Sequence, residues 1–251
     1  MRTLVVLTFA GLCLGALAGS AEENKVARQL LDRAIDALGG LELLQKEKAI
    51  TGTSEGTVHI NNKANKVRNE WSVQGLDQLK WSSEVTIDDK SLSVVLVMNA
   101  KKAWIRVAGA SEAAEPGAEQ VALFRPAIAG LRLAESPHLL RDRAYQLSPL
   151  GELKVGDRPA VGIKVCRKGM PDLDLYFDKV THLPVQAQMR LQEQPGREVT
   201  WTAQMGDYVK QDGRQRFTRL TIQRDDQVVI EMKRSNIKSS TGLDASTFEK
   251  P

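Results

Sequence analysis

A chain of 251 residues, 42% of them apolar and 26% charged, can build one large all-β domain or two small ones, with the balance of a water-soluble folded protein. The formal charge of +4 comes from Lys and Arg interleaved with Asp and Glu rather than gathered in a basic run, which argues against a nucleic-acid face. Aromatic residues are scarce at 5%, so each of the four tryptophans carries positional information.

Met1-Arg2-Thr3 is a short basic start, residues 4–17 form an apolar run, and small residues follow at 18–21. This is the layout of a cleaved secretory signal occupying residues 1–21, with a run short for a spanning helix. The chain is therefore expected to be exported, with residues 22–251 as its folded domain. Cys13 follows Leu12 rather than the small residue that precedes a lipid-modified cysteine. Cys166 is then the one cysteine left after cleavage, and no internal disulfide is expected.

Val26, Leu30, Ala34, Leu38 and Leu41 recur at helical spacing, broadened by Leu31 and Ile35, and Gly39-Gly40 supplies a stop. Residues 49–107 then read as strands parted by corners at Asn61-Asn62, Gly75 with Asp77, Asp88-Asp89 and Asn99-Ala100. A small-residue loop at 108–117 breaks the pattern. After it Val121, Phe124, Ile128 and Leu131 predict a helix of about three turns, with Pro126 near its first turn and Ser136-Pro137 ending it.

The second run of strands alternates strictly. Leu173, Leu175 and Phe177 share one phase, as do Val185, Ala187, Met189 and Leu191, then Val199, Trp201, Ala203 and Met205, then Val228, Ile230 and Met232. Corners fall at Gly156-Asp157, Asp212-Gly213 and Asp225-Asp226. Period two with one apolar face means an antiparallel sheet covered on one side. The fold class is mainly β: a single curved antiparallel sheet of about eleven strands forms an incomplete half barrel. The N-terminal helix and the mid-chain helix cover its concave apolar face.

Catalytic signals are absent. His59, His138 and His182 are isolated, no spacing suits a metal, and there is no nucleophile elbow or phosphate loop. No cofactor, metal or enzymatic activity is expected. The polar cluster Asp178, Lys179, Thr181 and His182 reads as a turn capped by the Asp178 side chain, and Cys166 as a partly buried small residue.

Around that turn, LYFDKVTHLPVQAQM resembles the hairpin of LolA-like proteins, the periplasmic carriers of outer-membrane lipoproteins. VGDRPAVGIKV, YVKQDGRQRFTRLTI and the terminal STFEKP, with Phe248 and Pro251, agree with the same family. The match lies mainly in residues 153–251. It implies an open barrel in the periplasm, with helices as a lid over an apolar cavity that shields acyl chains of a lipoprotein or another lipid. Membrane-protein donors and acceptors would be its partners. It also implies an arginine on an early strand that holds the lid; Arg68 and Arg106 are possible counterparts, and no motif aligns either one.

The residues expected to line such a cavity are Trp71, Trp104, Phe124, Ile128, Leu131, Phe177, Met189, Trp201, Met205 and Met232. Methionine conforms to acyl chains of varied shape, and Ala187 and Ala203 leave room beside it. The alternative is an envelope sensor or protein-binding module on the same fold, with its core packed shut.

Overall fold

The computed structural model describes residues 14–100, 102–194 and 196–251. The signal reading rests largely on residues 1–13, which lie outside the described residues. Helix α1 runs Leu14–Ala37 and is followed by a short α2, Leu41–Lys46. The buried stripe of α1 is Ala27, Leu31, Ala34 and Ile35, continued by Leu38 just past its end. Val26, predicted to open that stripe, is 40% exposed. Gly39 and Gly40 stop the helix at φ of 123° and 91°, closed by a bond from Gly40 N–H to the Ile35 carbonyl at 2.9 Å. A Cβ on Gly39 would also come within 2.8 Å of the Gly213 carbonyl oxygen, so the position excludes other residues twice over.

Twelve strands form one antiparallel sheet. They are β1 Ala49–Ile60, β2 Lys63–Gln74, β3 Gln78–Ile87, β4 Lys90–Asn99 and β5 Lys102–Val107. After a helical crossing come β6 Gln146–Val155, β7 Arg158–Cys166, β8 Leu173–Asp178 and β9 Pro184–Gln194. β10 Arg197–Gln211, β11 Arg214–Arg224 and β12 Gln227–Ser240 complete it. The order is β5-β4-β3-β2-β1-β12-β11-β10-β9-β8-β7-β6, and the sheet does not close on itself. The count of twelve is one more than the expected eleven or so, and the least regular strand is β6. It carries Pro149, Gly151 and a register shift between Leu150 and Glu152, which blur its alternation and suit it to an edge. Three two-residue corners, Asn61-Asn62, Asp88-Asp89 and Asp225-Asp226, have positive φ at both positions, the backbone of a type I′ hairpin.

That order dictates the position of the lid. β5 is one edge and β6, the next strand in sequence, is the other, so their connection must cross a face of the sheet. The crossing is α3, Ala118–Glu135, followed by a 3-10 turn at Pro137–Arg141. At 18 residues α3 is longer than the predicted three turns, and Pro126 falls in its interior rather than its first turn. The extra length follows from the sheet's width, which a three-turn helix would not cross. Gly130 permits the closest approach: a Cβ there would lie 2.5 Å from Cε of Met189 on β9.

Two apolar clusters lie on the concave face. The larger joins α1, the end of α3 and β6–β11, and is filled by residues such as Leu31, Leu133, Ile163, Leu175 and Phe177. The smaller joins Ile50, Trp71, Val73, Leu79, Met98 and Ile237, with Val121 and Ile128 of α3 packed on it. The outer face carries its own anchor. Phe248 is fully buried in a 3-10 turn, Ala245–Phe248, and its carbonyl accepts from Asn99 Nδ2 at 3.2 Å.

Candidate functional site

Strand pairing fixes which side chains share the concave wall. Val73, Leu79, Met98 and Ala103 form one cross-strand row, and Trp71, Trp81, Leu96 and Ile105 the next. α3 lies over these two rows through Val121 and Ile128. Between helix and wall is a cavity of about 60 Å3, lined by Trp71, Trp81, Ile128, Leu131 and Met232 among others. At one end its lining turns charged, with Arg132, Glu135 and Arg234.

Four of the ten predicted residues therefore meet: Trp71, Ile128, Leu131 and Met232. Phe177, Met189 and Met205 lie on the same face but are packed in the larger cluster at 1%, 7% and 2% exposure, where α1 and the end of α3 fill the space. Trp201 is half-buried against that cluster, and its ring N–H is buried without a partner. Phe124 is 36% exposed on α3 and does not line the cavity. Trp104 is on the opposite face: it pairs with Val97, while Ala103 and Ile105 take the concave phase of β5. Ala103, Trp104 and Ile105 are apolar in succession, so alternation does not settle the phase of β5, and the structure corrects the placement of Trp104 on the cavity side.

Beyond α3 the wall continues outward, still buried at Asn69 and Val67 of β2 and losing its cover toward β3–β5. Asn69 pairs with Ser83 and Ser83 with Val94; the following row is Val67, Val85 and Leu92. Val85 and Val94 are half-buried, and Leu92 and Val107 are exposed at 37% and 38%. Past this buried row a partly open apolar surface lies at the far ends of β3–β5.

The charged end of the cavity ties lid to sheet. Glu135, on the last turn of α3, accepts from Arg234 of β12 at 2.6 Å and from Arg132, one turn back on the same helix, at 3.0 Å. Arg214 of β11 donates to the Glu135 carbonyl at 3.0 Å. The Arg234 guanidinium lies over the Phe217 ring at 4.2 Å and the Trp71 ring at 4.5 Å, two cation–π contacts that fix it in place. Burial works to raise the Glu135 pKa, but the guanidiniums of Arg234 and Arg132 more than offset it, so the carboxyl stays ionised below its ordinary range. Behind this latch Glu47 pairs with Arg214 and Arg216, both buried. His138, just past the lid, is pushed down to about 4 by burial and by the charges of Arg214, Arg132 and Lys48, so it is neutral at ordinary pH.

The arginines that hold the lid are thus on the last two strands, whereas Arg68 and Arg106 are exposed and make no such contact. β12 pairs with β1, which places the end of the chain beside its beginning. A signal for Arg234 was present: it continues the apolar phase of Val228, Ile230 and Met232, an unusual place for a charge unless it is paired. Glu135 likewise follows Ile128 and Leu131 at helical spacing.

The polar hairpin has a structural role. Asp178 Oδ1 accepts from the backbone N–H of Val180 at 2.9 Å and of Thr181 at 2.8 Å, and Lys179 pairs with Glu152 at 2.6 Å. Burial and then Asp172 push the Cys166 thiol up, away from a reactive thiolate. Among the described residues no group of three or more His, Cys, Asp or Glu could hold a metal ion. Nor is any described helix long and apolar enough to cross a membrane.

No protein-family model matches the chain, and no curated protein matches it by sequence. Solved structures do match in fold. A LolA superfamily protein of Nitrosomonas europaea superposes with a TM-score of 0.56 at 13% identity, covering 89% of this chain and 97% of its own. A DUF1329 family protein of Desulfovibrio piger gives 0.55 at 14% identity over 89% and 97%. A putative outer membrane lipoprotein-sorting protein domain of Vibrio parahaemolyticus gives 0.54 at 11% over 91% and 97%. The open twelve-stranded sheet with its crossing helix thus shares its overall fold with these three proteins.

Proposed function

We propose that the protein is an exported, non-enzymatic carrier or binder of acyl chains, those of a lipoprotein or another lipid, held between the concave wall and α3. It would leave the cytoplasm on the signal at residues 1–21, work in the periplasm as the domain 22–251, and exchange its ligand with membrane-protein donors and acceptors. The apolar cavity under α3, with the partly exposed apolar ends of β4 and β5 beyond it, carries the reading. The likeness of fold to a lipoprotein-sorting domain supports it.

The mechanism is burial. Each methylene taken out of water contributes about 0.8 kcal/mol, so a partly enclosed chain suffices for useful affinity. The cavity of about 60 Å3 is well below the roughly 300–1,000 Å3 of ordinary ligand sites, so α3 must lift to admit an acyl chain. Its cover over β1–β5 is thin, and the latch at Glu135 is the contact that lifting would break.

Lipid extraction and mass spectrometry of the purified protein, with titration of a fluorescent fatty-acyl probe, tests this. A co-purifying lipid displaced by the probe is expected, and Ile128→Asp should weaken probe binding. No bound lipid and no probe binding by a folded protein would sink the reading. The small size of the cavity favours the second reading, a sensor or protein-binding module with a closed core, and that outcome would select it.

A further inference from the structure

Resting on the acyl-binding reading, we infer that the ligand carries an anionic head, a carboxylate or phosphate, and that Glu135 occupies the place of that head while the lid is closed. The cation that would receive it is Arg234, which lines the apolar cavity from β12 and is 8% exposed. Its ion-pair partner in the described residues is Glu135, at 2.6 Å. That partner belongs to the lid, whereas Arg234 belongs to the sheet.

When α3 lifts, Glu135 and Arg132 leave together, because they sit three residues apart on one helix and are paired at 3.0 Å. A neutral pair departs and one unpaired positive charge remains, held between the Trp71 and Phe217 rings at the end of an apolar cavity. An unpaired charge in such a place is strongly unfavourable. A ligand with a neutral head leaves it so. A carboxylate or phosphate replaces the lost oxygens and lets the lid stay open.

The wall beside Arg234 fits the same head. Ser54 stands opposite Arg234 on β1, Asn69 opposite Ser54 on β2, and Ser83 opposite Asn69 on β3. This polar row separates the apolar row of Trp71 and Trp81 under the helix from that of Val67, which is buried, and half-buried Val85. Asn69 is fixed within it, donating to Ser54 Oγ at 3.1 Å and accepting from Trp81 Nε1 at 3.0 Å. A head at Arg234 would have hydroxyl and amide groups along one side and apolar rows above and below for its chain.

The test compares cis-parinaric acid with its methyl ester, two fluorescent probes that differ in the head alone. The wild-type protein should bind the acid about tenfold or more tightly than the ester, the worth of one charged hydrogen bond. Arg234→Gln should bring that ratio close to one. Glu135→Gln, which keeps the helix but removes the competing charge, should tighten the acid severalfold and the ester much less. It carries the test if Arg234→Gln fails to fold. Displacement by palmitate and by palmitoyl lysophosphatidate then separates a carboxylate from a phosphate source. Equal binding of acid and ester by the wild type, or an equal gain for both with Glu135→Gln, overturns the anionic head and leaves the acyl reading standing. Binding of neither probe sinks the acyl reading, and this inference with it.

Discussion

The two halves of the sheet carry the same alternation of apolar and polar residues, yet they are covered differently. β6–β11 lie beneath α1 and the end of α3, and their concave residues Ile163, Leu175 and Phe177 are at most 1% exposed. β1–β5 have the first part of α3 alone, and their concave residues grade from Leu79 at 2% to Leu92 at 37%. Burial in the first half stabilises the fold. Incomplete burial in the second leaves apolar surface that a ligand or partner can cover.

Stability measurements should separate the halves most clearly. Phe177→Ala is expected to cost about 3–5 kcal/mol, because its neighbours are too constrained to close the void. Leu92→Ala, on the same phase of the same sheet, should cost less than about 1 kcal/mol. Urea unfolding of both variants decides the matter. Equal losses would mean that the far ends of β1–β5 are buried in solution.

The latch comes next. Glu135→Ala leaves Arg234 without its ion-pair partner and should cost about 3 kcal/mol. The loss should appear first as faster hydrogen exchange in α3, with β7–β9 unchanged. Exchange that quickens uniformly would show the pair to be a global support rather than a fastening of the lid.

Acid should loosen the same end. The unfolded chain binds a proton at His138 near 6.5, the folded one only near 4, so stability falls as pH drops through that window. Glu135 and Glu47 add the same sign lower down. Their folded pKa values lie below 4.5, so the stability they contribute is present above 4.5 and lost as pH falls through the lowered values. Urea midpoints between pH 7 and 3.5 should therefore decline throughout, and His138→Gln should remove the first part of the decline. A variant that declines like wild type between 6.5 and 4.5 would free His138 of that role.

What could be read from sequence follows from which forces are local. Hairpin corners are chosen by backbone preference, so Asn61-Asn62, Asp88-Asp89 and Asp212-Gly213 were legible, and so was the Asp178 turn. Alternation gave the concave phase of β8–β10 and β12 because polar residues separate most of their apolar ones. It failed for β5, where Ala103, Trp104 and Ile105 are apolar in succession and Trp104 faces outward. The split between packed and open halves was not legible, since it depends on where two helices lie and not on the strands beneath them. Hence Phe177 and Met205, which share a phase with the cavity residues, belong instead to the core. The latch was not legible because its members come from positions 132, 135, 214 and 234, brought together where α3 ends over β11 and β12.

The smallest expected effect bears most directly on the thin cover. Pro126 is in the interior of α3, where it cannot donate to the carbonyl of Ala122 and its ring crowds that turn. The weakness separates the first part of the helix, over β3–β5, from the part beyond Gly130 that rests on β9. Pro126→Ala restores the missing bond and should stabilise the fold by about 1 kcal/mol, less than the full propensity difference because the native helix already accommodates the ring. If the front of the lid opens about this point, hydrogen exchange should slow at residues 118–126 and stay unchanged at 130–135, and an acyl probe should enter more slowly. Slowing along the whole helix would mean that α3 moves as one rigid piece, with the Glu135 latch alone deciding when it opens.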